Sequence, residues 1–158
     1  MASTPWACEK GEAIAVRLQG AIFDFQGTIL DDKGNPLPGL DRCLSLMKME
    51  DVWMYLVCGG DPAPVRAALE RANLWRFFRG VISAAEHGGD ILDPELYEKA
   101  VRRLRTDKRA TLVVTAREEL LAPLKKEGFF TALVGEGHSP QAAEQADETI
   151  VTYEDMTL

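Results

Sequence analysis

Two stretches of this sequence hold residues whose types and spacing could do chemistry. The first is Ala21-Ile22-Phe23-Asp24-Phe25-Gln26-Gly27-Thr28-Ile29-Leu30, an apolar run that delivers one carboxylate onto a glycine turn. A carboxylate at the end of a buried strand loses hydration, so Asp24 is expensive there unless a site uses it. The plain alternative is an aspartate that caps a turn before glycine. The second stretch is Tyr55-Leu56-Val57-Cys58-Gly59-Gly60. Here the Gly59 and Gly60 amides can cradle an anion, because a glycine-rich strand-to-helix turn presents its N–H groups outward. Cys58 is a weaker donor than a hydroxyl. A nucleophilic cysteine of the phosphatase kind would need an anion-binding arginine where Pro64 stands. The other reading of Cys58 is a small residue buried at a strand end.

The elements that must position these groups alternate short apolar strands with amphipathic helices. That alternation predicts an α/β fold, a three-layer Rossmann-like parallel sheet with helices on both faces. Strands are expected over residues 21–25, 52–57, 80–83, 111–115, 129–134 and 149–151. Helices are expected from Leu40 to Met49 (Leu40, Leu44 and Met47 on one face), from Pro64 to Leu74, and from Glu118 to Lys126. A further helix opens at Asp93-Pro94, with Tyr97, Val101 and Leu104 on its apolar face, and a short one opens at Ser139-Pro140. In such sheets ligands sit beyond the carboxyl ends of the strands, so Asp24, Cys58 and Thr115 are the positions to interrogate.

The chain has 158 residues, 46% hydrophobic and 27% charged, which suits one globular domain. We expect an N-terminal arm over residues 1–19, mobile in its first part, and one domain over 20–158. A net charge of -7 argues against a nucleic-acid partner. Three cysteines at unrelated spacings suggest neither a disulfide framework nor a zinc cluster. No signal peptide or membrane span is expected, and the default location is cytoplasmic. The basic run Arg102, Arg103, Arg105, Lys108 and Arg109 reads as a solvated helix face or a patch for an acidic partner. Leu74-Trp75-Arg76-Phe77-Phe78 reads as core plus rim, or as a partner contact. His87 and His138 read as ordinary loop residues.

Over about residues 20–156 the chain resembles the haloacid dehalogenase (HAD) superfamily, whose first motif is an apolar strand followed by Asp-x-Asp-Gly-Thr. Asp93 to Ala100, Thr111 to Val114, Thr131 to Val134 and Pro140 to Met156 carry the rest of the likeness. The resemblance implies that Asp24 is the catalytic nucleophile. It puts Gln26 at the general acid/base position, with Thr28, Cys58, Gly59 and Arg117 around a phosphorylated ligand. Asp24 and the main-chain oxygen of Gln26 would hold Mg²⁺ in an active member, and no cofactor is expected otherwise. The short span from Thr28 to the second strand leaves no room for a cap domain, so only the loop around Lys33-Gly34-Asn35-Pro36 is expected to cover the site.

Against that pattern the motifs are degenerate. Gln26 cannot donate and recover a proton, a service typically worth about 10²–10⁴-fold in rate. Cys58 replaces a hydroxyl residue and Ile91 a lysine. Lys99 either reaches back toward the site or lies on a solvated face. Ala116 replaces a metal-binding aspartate, and Leu120 a second acid. Glu118 and Glu119 serve either as substitute ligands or as acids complementing a helix dipole. Arg117 would bind an anion or neutralise Asp24 directly. Two expectations follow. One is a HAD-like protein with impaired or lost phosphohydrolase activity that binds a protein partner, a second copy of itself or an anionic ligand. The other is an active HAD-type phosphatase or hydrolase forming an aspartyl intermediate at Asp24.

Overall fold

In a computed structural model, the structure describes residues 17–156. The expected arm therefore falls outside the described residues up to position 16. Leu18 is already buried, and Gln19 bridges the domain by donating its amide to Ala110 and accepting from the Trp53 amide. The domain body thus includes the last residues assigned to the arm.

Six short runs rich in branched and aromatic residues form β1 (Gly20–Asp24), β2 (Trp53–Cys58), β3 (Phe78–Ser83), β4 (Thr111–Thr115), β5 (Phe130–Val134) and β6 (Glu148–Ile150). They lie in the order β3-β2-β1-β4-β5-β6, and every neighbouring pair is parallel. All residues of β1 and β4 are buried, as expected of central strands covered on both faces. Successive side chains leave opposite faces of a strand. Phe23 and Val114 accordingly join one core with Leu44, Met47, Leu56 and Leu69, while Ile22 and Val113 join the other with Tyr97, Val101 and Leu124. The first core belongs to α1 (Leu40–Met49) and α2 (Pro62–Arg71), the second to α3 (Pro94–Leu104) and α4 (Leu121–Lys126). A short α5 (Pro140–Gln145) packs on α4 through Ala142 and Leu121. The result is the expected three-layer parallel α/β fold.

Two of the expected helices differ from the sequence reading, and the one expected from Pro64 to Leu74 also ends early, at Arg71. α2 starts at Pro62 rather than Pro64, because Asp61 accepts from the Ala63 amide at 3.0 Å and Pro62 suits a first helical position. Glu118–Lys126 is not one helix. A 3-10 turn over Glu118–Leu120 precedes α4, which leaves Pro123 in the first turn of α4, where its missing N–H breaks no bond. At α3 the Asp93 cap on Glu95 (3.0 Å) and the buried Tyr97, Val101 and Leu104 stand as expected.

The β1–β2 connection holds a loop and α1, with no cap domain. The loop closes on itself through a Leu30–Pro36 bridge, and Asp31 Oδ1 accepts from the Lys33 and Asn35 amides, both at 2.9 Å. Gly39 enters α1 at φ 81°, with Glu154 so close that a Cβ would sit 2.6 Å from its backbone nitrogen. Among the described residues no helix is long and apolar enough to cross a membrane. From β1 the chain builds outward to β3 and then returns to β4 on the other side. The switch point therefore lies between the carboxyl ends of β1 and β4, where sheets of this type bind ligands.

Candidate functional site

Asp24 ends β1 and Thr115 ends the adjacent β4, which aims both side chains at the switch point. The Thr115 hydroxyl donates to Asp24 Oδ2 at 2.9 Å. Thr115 Oγ1 in turn accepts from the Arg117 amide at 3.0 Å, which fixes the backbone just beyond the strand. So held, Arg117 folds back over the site. Its Nε donates to Asp24 Oδ2 at 2.8 Å and its Nη2 to Gln26 Oε1 at 2.9 Å. Asp24 Oδ1 is buried and has no hydrogen-bond partner. Burial raises the Asp24 carboxyl above its ordinary range. The Arg117 charge, the hydrogen bonds from Thr115 and Arg117 and the nearby Gln26 amide pull it back only in part.

A cleft of about 690 Å³ opens in front of this group. Asp24, Gln26, Cys58, Gly59 and Arg117 all line it, so the structure brings five of the six expected site residues together. Thr28 is the exception. Its hydroxyl donates to the Asp24 main-chain oxygen, its own carbonyl accepts from Tyr153 Oη at 2.7 Å, and the residue is wholly buried. Thr28 ties the turn to the core and does not line the cleft. Gly27, at φ 79°, lets the turn pass Ala116 closely, since a Cβ there would lie 3.1 Å from the Ala116 methyl. Cys58 is 5% exposed, and its thiol donates to the Gly60 carbonyl at 3.4 Å. Burial pushes that thiol up; a contact with Ser83 offsets some of the rise, and the Glu86, Asp61 and Asp24 carboxylates add to it. An attacking thiolate is disfavoured there.

Other sequence expectations resolve into structure rather than chemistry. Ile91 is part-buried against the α3 core and its carbonyl accepts from Tyr97 Oη at 3.1 Å, so no cation stands in the lysine position. Lys99 does not line the cleft. The basic run is largely committed: Arg102 pairs with Glu95, Arg103 donates to Tyr55 Oη, and Lys108 bridges Glu98 and Glu127. Glu118 is no ligand to the site. It accepts from the Ser139 amide (2.9 Å) and hydroxyl (2.8 Å) and contacts His138 Nδ1 at 2.9 Å, while His138 Nε2 contacts the Val134 carbonyl. His138 is thus a tie between loops. The cleft-lining Asp31, Asp32 and Asp61 went unread in the sequence, although Asp61-Pro62 carries a helix-start signal that would have placed Asp61 at the cleft.

The residues present do not fit the divalent metal that the family resemblance implies. Mg²⁺ demands hard oxygens, usually with one or two carboxylates among them. Among the described residues no group of three or more His, Cys, Asp or Glu side chains could hold a metal ion. Ala116 offers no donor, and a guanidinium already engages Asp24 Oδ2.

The family model for haloacid dehalogenase-like hydrolases matches residues 28–116. No curated protein matches the sequence. Among solved structures, a dehalogenase with its intermediate complex shares 20% identity at a TM-score of 0.68, covering 77% of this chain and 54% of its own. The chain thus spans about half the length of that relative. A proposed beta-phosphoglucomutase from Thermotoga maritima shares 14% identity at a TM-score of 0.74, covering 88% of this chain and 96% of its own. The L-2-haloacid dehalogenase of Xanthobacter autotrophicus with chloropropionic acid covalently bound shares 14% at 0.66, covering 81% of each chain. At such identities these likenesses concern the fold. The family match runs from Thr28, just after Asp24 and Gln26, to the residue following β4 and covers more than half the sequence, and the chain belongs to the haloacid dehalogenase-like hydrolase family.

Proposed function

We propose that this chain uses the family's strand-end site for binding and has lost efficient phosphohydrolase chemistry. The observation that carries this reading is Arg117 Nε at 2.8 Å from Asp24 Oδ2. Hydrolases of this family typically use Mg²⁺, a cation that screens an anionic substrate from the anionic nucleophile. Here a tethered guanidinium holds the carboxylate instead. It brings no water or substrate oxygen with it, and it neutralises the group that would attack. With Gln26 in place of an acid, proton transfer to a leaving group has no donor of suitable pKa. The open cleft, covered only by the Leu30–Pro36 loop, then serves as a surface for a partner protein, in a reducing cytoplasmic setting where Cys43 and Cys58 stay free.

One observation favours the second reading, an active hydrolase forming an aspartyl intermediate. Asp24 Oδ1 has no hydrogen bond, as suits an attacking oxygen, and a neighbour of this fold holds chloropropionic acid covalently. The deciding experiment assays the purified protein against phosphoesters with and without Mg²⁺, and against 2-chloropropionate, beside Asp24→Asn. The binding reading expects no turnover above that of the variant. Turnover that disappears in Asp24→Asn would overturn it and establish the second.

A further inference from the structure

We infer that the pocket where β2 and β3 begin docks an acidic segment of a partner protein, anchored by one apolar side chain. Trp53 opens β2 and Phe78 opens β3, so this pocket lies at the amino ends of the strands, opposite the Asp24 cleft. It stands whether or not that cleft turns over a substrate. Its volume is about 230 Å³. The floor is apolar, from Val52, Met54, Phe77 and Phe78, and the rim carries Trp53 with Lys48, Arg76 and Arg79. Within Leu74–Phe78, Trp75 packs on the core beneath the Arg66 guanidinium, whereas Arg76, Phe77 and Phe78 face the pocket.

Exposure and charge point to the same occupant. Among the described residues only Met49, Trp53 and Val151 are large apolar side chains left exposed, and two of them mark this corner. Trp53 is 48% exposed on the rim, and Met49, 79% exposed, directly follows the lining residue Lys48. An accessible tryptophan beside an apolar hollow is the kind of anchor on which binding energy concentrates. The chain carries a net charge of -7, yet this lining sets three cations against one carboxylate, Asp51. Arg76 is partly committed, to the Asn73 carbonyl at 2.9 Å and toward Asp41 at 3.7 Å. Among the described residues the Lys48 and Arg79 side chains have no hydrogen bond or ion pair. The Arg79 guanidinium stacks over the Trp53 ring at 4.3 Å, and that of Arg76 over Phe77 at 4.1 Å. A guanidinium stacked through its face keeps its N–H edge for a carboxylate. Arg79 also lies where β3 slips against β2, between the Met54–Phe78 and Leu56–Val81 pairs, and such bulges re-aim a side chain. β3 is an edge strand, so an extended segment can run beside it into the pocket. The cations form one focus around a small hollow, and the net negative chain repels a long polyanion, which favours a short acidic segment over a nucleic acid.

The test titrates the full chain with the peptide acetyl-Glu-Asp-Phe-Asp-Glu-amide and follows amide NMR signals. Lys48, Trp53 and Arg79 should shift saturably, while Gly59 and Asp61 of the cleft stay in place. Exchanging the four acids of the peptide for their amides should weaken binding about tenfold, as should exchanging its phenylalanine for alanine. Added salt should weaken the acidic peptide and leave the amide peptide unaffected. The double variant Lys48→Gln/Arg79→Gln should also lose about tenfold. It keeps the fold, because neither side chain ties one element to another by a hydrogen bond or ion pair. A peptide that leaves these signals unmoved, binds the double variant equally well or shifts the cleft residues instead overturns the inference. Tighter binding of hexathymidylate at the same signals overturns it in favour of a nucleic acid. Self-association of the chain that moves those signals as concentration rises overturns it in favour of a second copy.

Discussion

The Arg117 guanidinium that meets Asp24 at 2.8 Å is a quarter exposed, while the carboxylate it meets has no exposed surface at all. The pair is therefore asymmetric. Without Asp24, Arg117 can turn to water; without Arg117, Asp24 is a buried charge with no cation beside it, held by the Thr115 hydroxyl and the nearby Gln26 amide. Breaking a buried pair is destabilising chiefly through the charge left behind.

Arg117→Met should accordingly lower stability at neutral pH by about 2 kcal/mol, less than a fully buried pair because the cation is partly solvated. The deficit should shrink as pH falls and the Asp24 carboxyl takes up a proton. Urea unfolding across a pH series checks this. A deficit independent of pH would assign the loss to side-chain packing.

Asp24→Asn should behave in the opposite way. The folded pKa of Asp24 lies above its ordinary value of 3.8 because burial outweighs Arg117. The stability this group contributes is thus fully present below 3.8 and lost as pH rises through the folded value. The variant should match the wild type in acid and exceed it toward neutrality. Unfolding midpoints across the same series read the crossover, and a variant that weakens with rising pH would show the ion pair outweighing burial.

Glu118 carries the reverse sign. Hydrogen bonds from the Ser139 amide and hydroxyl, then from His138, hold its carboxyl below the ordinary value of 4.5. Its contribution is present above 4.5 and lost as pH falls through the folded value. Glu118→Gln should therefore melt earlier than the wild type at neutral pH and equally in acid. Hydrogen exchange in Ser139–Gln145 should quicken in parallel, because the variant loosens the start of α5.

Tyr153→Phe removes one hydroxyl without changing the volume of the core. Tyr153 Oη donates to the Thr28 carbonyl at 2.7 Å, and both residues are wholly buried. The loss should be about 1–2 kcal/mol, from a buried carbonyl left without its donor. Equilibrium denaturation measures it, and an unchanged midpoint would show that Thr28 finds another donor.

How far the sequence carried these findings depended on the range of the interactions. β4 and α1 were legible to the residue, because their apolar periodicity and flanking turn residues are local signals. The start of α2 is set by the Asp61 side chain capping the Ala63 amide, and the 118–126 segment divides at Leu121 so that Pro123 falls in the first turn of α4, details of a single turn that apolar periodicity does not encode. Asp24 at a strand end was visible from the apolar run before it. That Thr28 turns inward was not, since its partner Tyr153 lies 125 positions away in the chain. The Glu118–His138–Ser139 tie was hidden for the same reason: each residue reads as an ordinary loop or helix-start residue until the fold brings them together.

The strand order carries a kinetic consequence. β1 has β2 as its sequential neighbour on one side, but its other neighbour is β4, and the Asp24–Thr115 contact closes a separation of 91 residues. Contacts between near neighbours form before distant ones, because loop closure costs entropy ahead of any reward. The β1-β2-β3 half should therefore assemble with one flank of β1 unpaired, and this chain should collapse early and complete its sheet late. Pulse-labelled hydrogen exchange would show it as protection in the β2–β3 and β4–β5 ladders preceding protection in the long-range β1–β4 ladder. The residue that marks the site would then stay wet until the last central strand docks.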